Sequence, residues 1–101
     1  MYVVIWEFRV RENSREQFEK DYGPQGVWAQ FFQRGEGYLG TELLRDAAVT
    51  GRYLTIDRWT SQLAYQTFQT QQHAEYQAID RRCESLTERE SRMGAFDLPN
   101  S

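Results

Sequence analysis

Residues 2–10, Tyr-Val-Val-Ile-Trp-Glu-Phe-Arg-Val, constrain this chain more than any other stretch. They are β-branched and aromatic, the composition of a strand. Tyr2, Val4, Trp6, Phe8 and Val10 fall on one face, and Val3, Ile5, Glu7 and Arg9 on the other. One face is apolar throughout and the other over its first half, so the strand expects cover on both sides. At 101 residues the chain is one domain's worth. It must build that cover from few elements.

The rest of the pattern supplies them. Ser14 with Gln17 three residues on has the form of a capping box, and Phe18 and Tyr22 share a helical face. Gly23-Pro24 interrupts, and Val27, Trp28, Phe31 and Phe32 form the stripe of a second helical segment. Residues 38–46 and 52–59 read as strands joined by the turn Ala47–Gly51, hence a hairpin. Ser61 is placed to cap a third helix, the polar run 69–72 loosens its middle, and Tyr76, Ile79 and Cys83 recur at helical spacing after His73. Residues 91–98 read as a last strand. The order is β-α-β-β-α-β: an α+β, ferredoxin-like antiparallel sheet with its helical connections on one face. A single domain over 1–98 and a tail at 99–101 are expected.

Gly35, Gly37 and Gly40 have the G-x-G-x-x-G spacing of a phosphate-binding loop. Phosphate binding needs those glycines after a strand and before a helix, so that the anion meets the helix N-terminus. Here the order is reversed. Gly35 is expected as a left-handed helix stop, Gly37 as the turn, and Gly40 where a neighbouring side chain crosses the strand.

Composition narrows the function. The net charge of −3 provides no basic field for nucleic acid, and the third strand, "RYLTIDRW", lacks the glycine and basic pattern of an RNA-recognition strand. Cys83 and His73 are each the only one of their kind, so neither a disulfide nor a Cys/His metal cluster is expected within the chain. No apolar run approaches membrane-spanning length, and "MYVVIWEFRV" meets Glu7 and Arg9 too early for a signal peptide. A cytoplasmic protein without a membrane partner is the default expectation. Trp6, Trp28, Phe31, Phe32, Trp59, Tyr65, Phe68 and Tyr76 come from elements that converge between sheet and helices. Singly each suits a core; together they suit a cavity for a flat apolar ligand.

"GYLGTELLRD", "YLTIDRWTSQLAY", "AEYQAIDRRCESLTERE" and "MGAF" resemble the antibiotic biosynthesis monooxygenase family over about residues 1–98, with Trp59-x-Ser61 the most specific piece. The resemblance implies a homodimer whose two sheets pack face to face in an α+β barrel. It also implies oxygenation of a phenolic or quinol-like small molecule without metal, flavin or other cofactor. Trp59 matches the tryptophan that the family's quinol oxidisers use, but the asparagine four residues before it is Thr55 here. Their helical arginine corresponds to Arg81 or Arg82. The haem-degrading branch's asparagine, tryptophan and histidine fall on Phe8, Phe68 and Ala78, so that route is disfavoured.

The candidate catalytic residues are His73, Tyr76 and Trp59. His73, the sole imidazole, is either a solvent-facing residue beside the polar run 69–72 or a base at the mouth of the cavity, with Tyr76 as a donor on the same helical face. Trp6, Trp28, Phe31, Tyr65 and Phe68 are the candidate substrate walls. Asp57 and Arg58 read as sheet-surface charges, and Cys83 as core. The alternative is a non-catalytic ligand-binding or structural dimer of the same fold.

Overall fold

A computed structural model describes residues 1–99; the expected 99–101 tail lies outside the described residues but for Pro99. Strand β1 (Tyr2–Val10) leads into helices α1 (Arg15–Tyr22) and α2 (Val27–Phe32). The hairpin β2 (Tyr38–Arg45) and β3 (Arg52–Trp59) follows, then α3 (Gln62–Gln71), α4 (His73–Cys83) and β4 (Thr87–Asp97). The four strands form one antiparallel sheet in the order β2-β3-β1-β4. This is the ferredoxin-like α+β arrangement, with each helical connection broken into two pieces.

Pairing of Val4 with Asp57 and of Phe8 with Tyr53 puts the even residues of β1 and the odd residues of β3 on one face. Helices cover that face. Tyr2, Val4, Phe8, Val10, Tyr53 and Trp59 are all buried there with Phe18, Phe31, Phe32 and Phe68 from the helices. The opposite face carries Val3, Ile5, Leu54 and Ile56, half-buried in the single chain, with Phe96 and Leu44 exposed beside them. β1 is thus two-sided, as its composition requires.

Ser61 caps α3, its hydroxyl accepting from the Ala64 N–H at 3.1 Å. Four local expectations are corrected. Ser14 makes no cap bond: a short 3-10 turn over Glu12–Ser14 already directs its N–H to the Arg11 carbonyl, and Gln17 bonds Asp21 instead. Gly35 is not left-handed; Gly37 is, at φ 93°. Gly35 is required by space, since a Cβ there would meet the Phe68 ring at 2.6 Å and the Trp59 ring at 2.9 Å. Around Gly40 the space is open, but its φ is 140° at a bulge in the β2–β3 pairing. β4 begins at Thr87, four residues before the expected start, because main-chain pairing with β1 carries a segment, Thr-Glu-Arg-Glu, whose side chains show no strand pattern.

Candidate functional site

Between the sheet and the helices lies a cavity of about 150 Å³. Its floor is the sheet: Val4, Trp6 and Phe8 from β1, Thr41 from β2, and Thr55 and Asp57 from β3. Tyr22 of α1, Trp28 and Phe32 of α2, Tyr65 and Gln69 of α3, and Tyr76 and Asp80 of α4 close it, with Glu90 of β4 at the rim. Trp28 holds the wall together, packing edge-on against Tyr76 at 5.1 Å and tilted against Tyr22 at 6.0 Å.

Asp57 is the unexpected member. It is 8 % exposed and lies on the cavity floor, not on the sheet surface. The reason is strand parity: Asp57 stands two residues before the fully buried Trp59 and shares its face. Its neighbour Arg58 does point to the open face, where it pairs with Glu42. Thr41, opposite Asp57 across the hairpin, donates its hydroxyl to Asp57 Oδ1 at 2.6 Å. The Tyr38 hydroxyl lies 2.6 Å from the Thr41 oxygen. A threonine has one hydroxyl hydrogen; since Thr41 gives it to Asp57, Tyr38 must donate to Thr41. The three groups form a chain of donors ending on the carboxyl.

The Gly40 bulge makes this chain possible. Tyr38 and Thr41 are three apart, which in a regular strand puts them on opposite faces. Between Tyr38 and Gly40 β2 advances two residues while β3 advances one, from Trp59 to Arg58, so the side chains after the bulge change face and Thr41 joins Tyr38.

Burial dominates the electrostatics. It pushes the Asp57 carboxyl up from 3.8 to about 6, against the opposing pull of the Thr41 bond. Asp80 and Glu90 are raised too, first by burial and then by acidic neighbours, with Glu84 acting on both and Asp80 on Glu90. The phenols of Tyr65 and Tyr76 are raised by burial, so both remain hydrogen-bond donors through the neutral range. A carboxyl poised near neutrality faces phenolic donors across an apolar, ring-lined space. That arrangement can accept a proton from a bound ligand and hold the resulting anion.

Of the residues singled out from sequence, Trp6, Trp28, Tyr65 and Tyr76 line the cavity. Trp59, Phe31 and Phe68 are buried behind it as a packed block, Phe31 edge-on to Phe68 at 4.9 Å and Phe68 against Trp59 at 5.3 Å. His73 is exposed at the first position of α4 and is not part of the lining. Arg81 and Arg82 are exposed in the last turn of α4. Thr55 does stand on the floor, beside Trp6. Asp57, Tyr22, Gln69, Asp80 and Glu90 were missed. Parity within "RYLTIDRW" was the available signal for Asp57, and the four-residue step from Tyr76 was that for Asp80. Among the described residues no three His, Cys, Asp or Glu side chains converge to hold a metal ion.

Solved structures of the same fold cover almost the whole chain. SnoaB from Streptomyces nogalater, described as a cofactor-independent oxygenase, is similar with a TM-score of 0.74 at 23% identity, over 99% of this chain and 94% of that one. The heme-degrader MhuD from Mycobacterium tuberculosis, solved with two hemes in its active site, is similar with a TM-score of 0.73 at 22% identity, over 100% and 98%. No curated protein matches the sequence. The family model of the antibiotic biosynthesis monooxygenases matches residues 1–81. The chain belongs to the antibiotic biosynthesis monooxygenase family.

Proposed function

We propose that this protein is a cofactor-independent monooxygenase that oxidises a small phenolic or quinol-like compound, with Asp57 as its base. The observation that carries the proposal is the buried Asp57 carboxyl on the floor of an aromatic cavity, raised to about 6 and held by Thr41. At neutral pH it is ionised, yet basic enough to take a proton from an acidified phenol or benzylic carbon. Tyr65 and Tyr76 donate to the anion, and Trp6 and Trp28 hold the ring. Trp59, Phe31 and Phe68 support that wall from behind. His73 has no part in the scheme.

The ligand anion passes one electron to dioxygen, and recombination forms the carbon–oxygen bond. The proton held by Asp57 completes the hydroperoxide. Loss of water, using the second hydrogen on the same carbon, leaves a carbonyl; one oxygen atom enters the product and the other leaves as water. Exclusion of bulk water by the rings protects the anion until oxygen arrives. The cavity is smaller than the roughly 300–1,000 Å³ that drug-sized ligands occupy, which favours one or two rings. Its lining contains no His, Lys or Arg to ligate haem iron or pair haem carboxylates, so the haem-degrading alternative is not favoured.

The partner proposed for the open sheet face is a second copy of the chain. Its centre is apolar, and two of its arginines are paired within the chain, Arg58 with Glu42 and Arg52 with Glu7 and Asp46. Arg9 and Arg89 stand opposite each other at one end, with no ion pair among the described residues. The apolar centre is what a second copy would cover.

Oxygen uptake by metal-stripped protein, offered a panel of quinols and anthrones, tests the activity. Uptake is expected, and Asp57→Asn is expected to lower it by about a hundredfold or more. Loss of uptake in His73→Ala instead would assign the base there. No uptake with any compound would leave the binding-protein alternative.

A further inference from the structure

The titratable side chains lining the cavity are phenols and carboxyl groups, and one basic group stands beside them. Three carboxyl groups line it, Asp57 on the floor, Asp80 on the helical wall and Glu90 at the rim, and no Arg, Lys or His is in the lining. They come from three elements, β3, α4 and β4, so they surround the space instead of meeting at a point. That placement does not make a metal site. Asp57 is nine-tenths buried and accepts one hydrogen bond, from neutral Thr41; no cation pairs it among the described residues. Arg92 of β4 is the cross-strand partner of Trp6 and interacts with the Tyr65 phenol, so one exposed guanidinium stands against the three carboxyl groups.

A buried carboxylate without a counter-charge is costly, and Asp80 adds repulsion to Glu90. Much of the remaining lining is aromatic, with Trp6, Trp28, Tyr22, Tyr65 and Tyr76 among it. A ring that presents its face to the space carries the negative end of its quadrupole there and adds to the same field. With three carboxyl groups against one guanidinium, the lining favours an ammonium over a carboxylate or phosphate. We infer that the ligand of this cavity is an aromatic compound bearing a protonated amino group, the ring held between Trp6 and Trp28 and the ammonium facing the Asp80–Glu90 side. This rests on the reading of the cavity as the ligand site, and adds to it the charge of the ligand.

Three single-ring phenols of similar size test it: tyramine, positively charged; 4-ethylphenol, neutral; and 3-(4-hydroxyphenyl)propanoate, negatively charged. Each is titrated into the full chain at neutral pH, following the tryptophan fluorescence and confirming by calorimetry. Tyramine is expected to bind about tenfold or more tightly than the carboxylate, with 4-ethylphenol between. In Glu90→Gln combined with Asp80→Asn the ratio between tyramine and 4-ethylphenol is expected to shrink. The carboxylate or 4-ethylphenol binding as tightly as tyramine overturns this inference alone, as does a ratio the double variant leaves unchanged. Binding of none of the three overturns the ligand site itself, and the inference with it.

Discussion

Asp57 is held where an ionised carboxylate is expensive, and the cost has a sign that can be measured. Its folded-state pKa, about 6, lies above its ordinary 3.8. The folded protein therefore binds the proton more tightly than the unfolded chain does. The stability linked to that proton is fully present below about pH 3.8 and is lost as pH rises through about 6. At pH 7 the upper figure for the loss is on the order of 3 kcal/mol. Asp57→Asn removes the ionisation and keeps an oxygen for the Thr41 hydroxyl. It is expected to be more stable than the natural chain at pH 7 by about 1–3 kcal/mol, and equal to it near pH 4. Urea unfolding at the two pH values measures this; a variant less stable at pH 7 would show that the charge carries no penalty. The same substitution is proposed to lower oxygenation by about a hundredfold or more, the trade expected where a site stores the cost of its own chemistry. The sequence already contained the clue. Asp57 alternates in step with Tyr53, Thr55 and Trp59, yet its charge suggested solvent, and only the depth of Trp59 decides between them. The glycine spacing misled in a similar way, since Gly35 answers a clash with two core rings that no local pattern contains.

Elements differed in how far local sequence could specify them. β1, the β2–β3 hairpin and α3 were legible because alternation, turn residues and the Ser61 cap all act within a few residues. The first half of β4 was not, because its strand state is imposed by main-chain bonds to β1, more than seventy residues away in sequence. The bulge in β2 was also hidden: its evidence is a register shift between two strands. Gly40 is the residue that permits it. Because the space around it is open, Gly40→Ala meets no clash, and its whole effect comes from forcing a Cβ into φ near 140°. The expected cost is about 1–3 kcal/mol in urea unfolding. If the strand escapes the strain by losing its bulge, Tyr38 and Thr41 part to opposite faces. The nuclear magnetic resonance titration of the Asp57 carboxyl then shifts as its donor chain breaks. An unchanged stability together with an unchanged titration would show that alanine is accommodated, and that the bulge does not depend on glycine.

At the scale of the whole molecule, the chain folds one face of its sheet onto a ring-lined cavity and leaves the other face with an apolar centre. The two faces are coupled through the strands: β1 and β3 carry cavity residues at alternate positions and open-face residues at those between. β1 alone raises the expectation of two-sided cover, because one face of the segment is apolar throughout and the other over its first half. The occupant of the second face was not legible, because one chain's sequence records the need for burial and not the surface that meets it. The proposed second copy can be tested at the centre of that face. Ile56 pairs with Ile5 on one side and with Glu42 on the other. Placing an aspartate there would bury an unpaired charge in the proposed interface, at a cost of several kcal/mol. Sedimentation velocity at micromolar concentration is expected to give a dimer for the natural chain and a monomer for Ile56→Asp. Leu63, 73% exposed on α3 and so on the helical side, provides the control: Leu63→Asp adds the same charge and is expected to leave the dimer intact. A natural chain that sediments as a monomer would reject the second copy. Equal dissociation by both variants would mean that net charge, and not the sheet face, governs association.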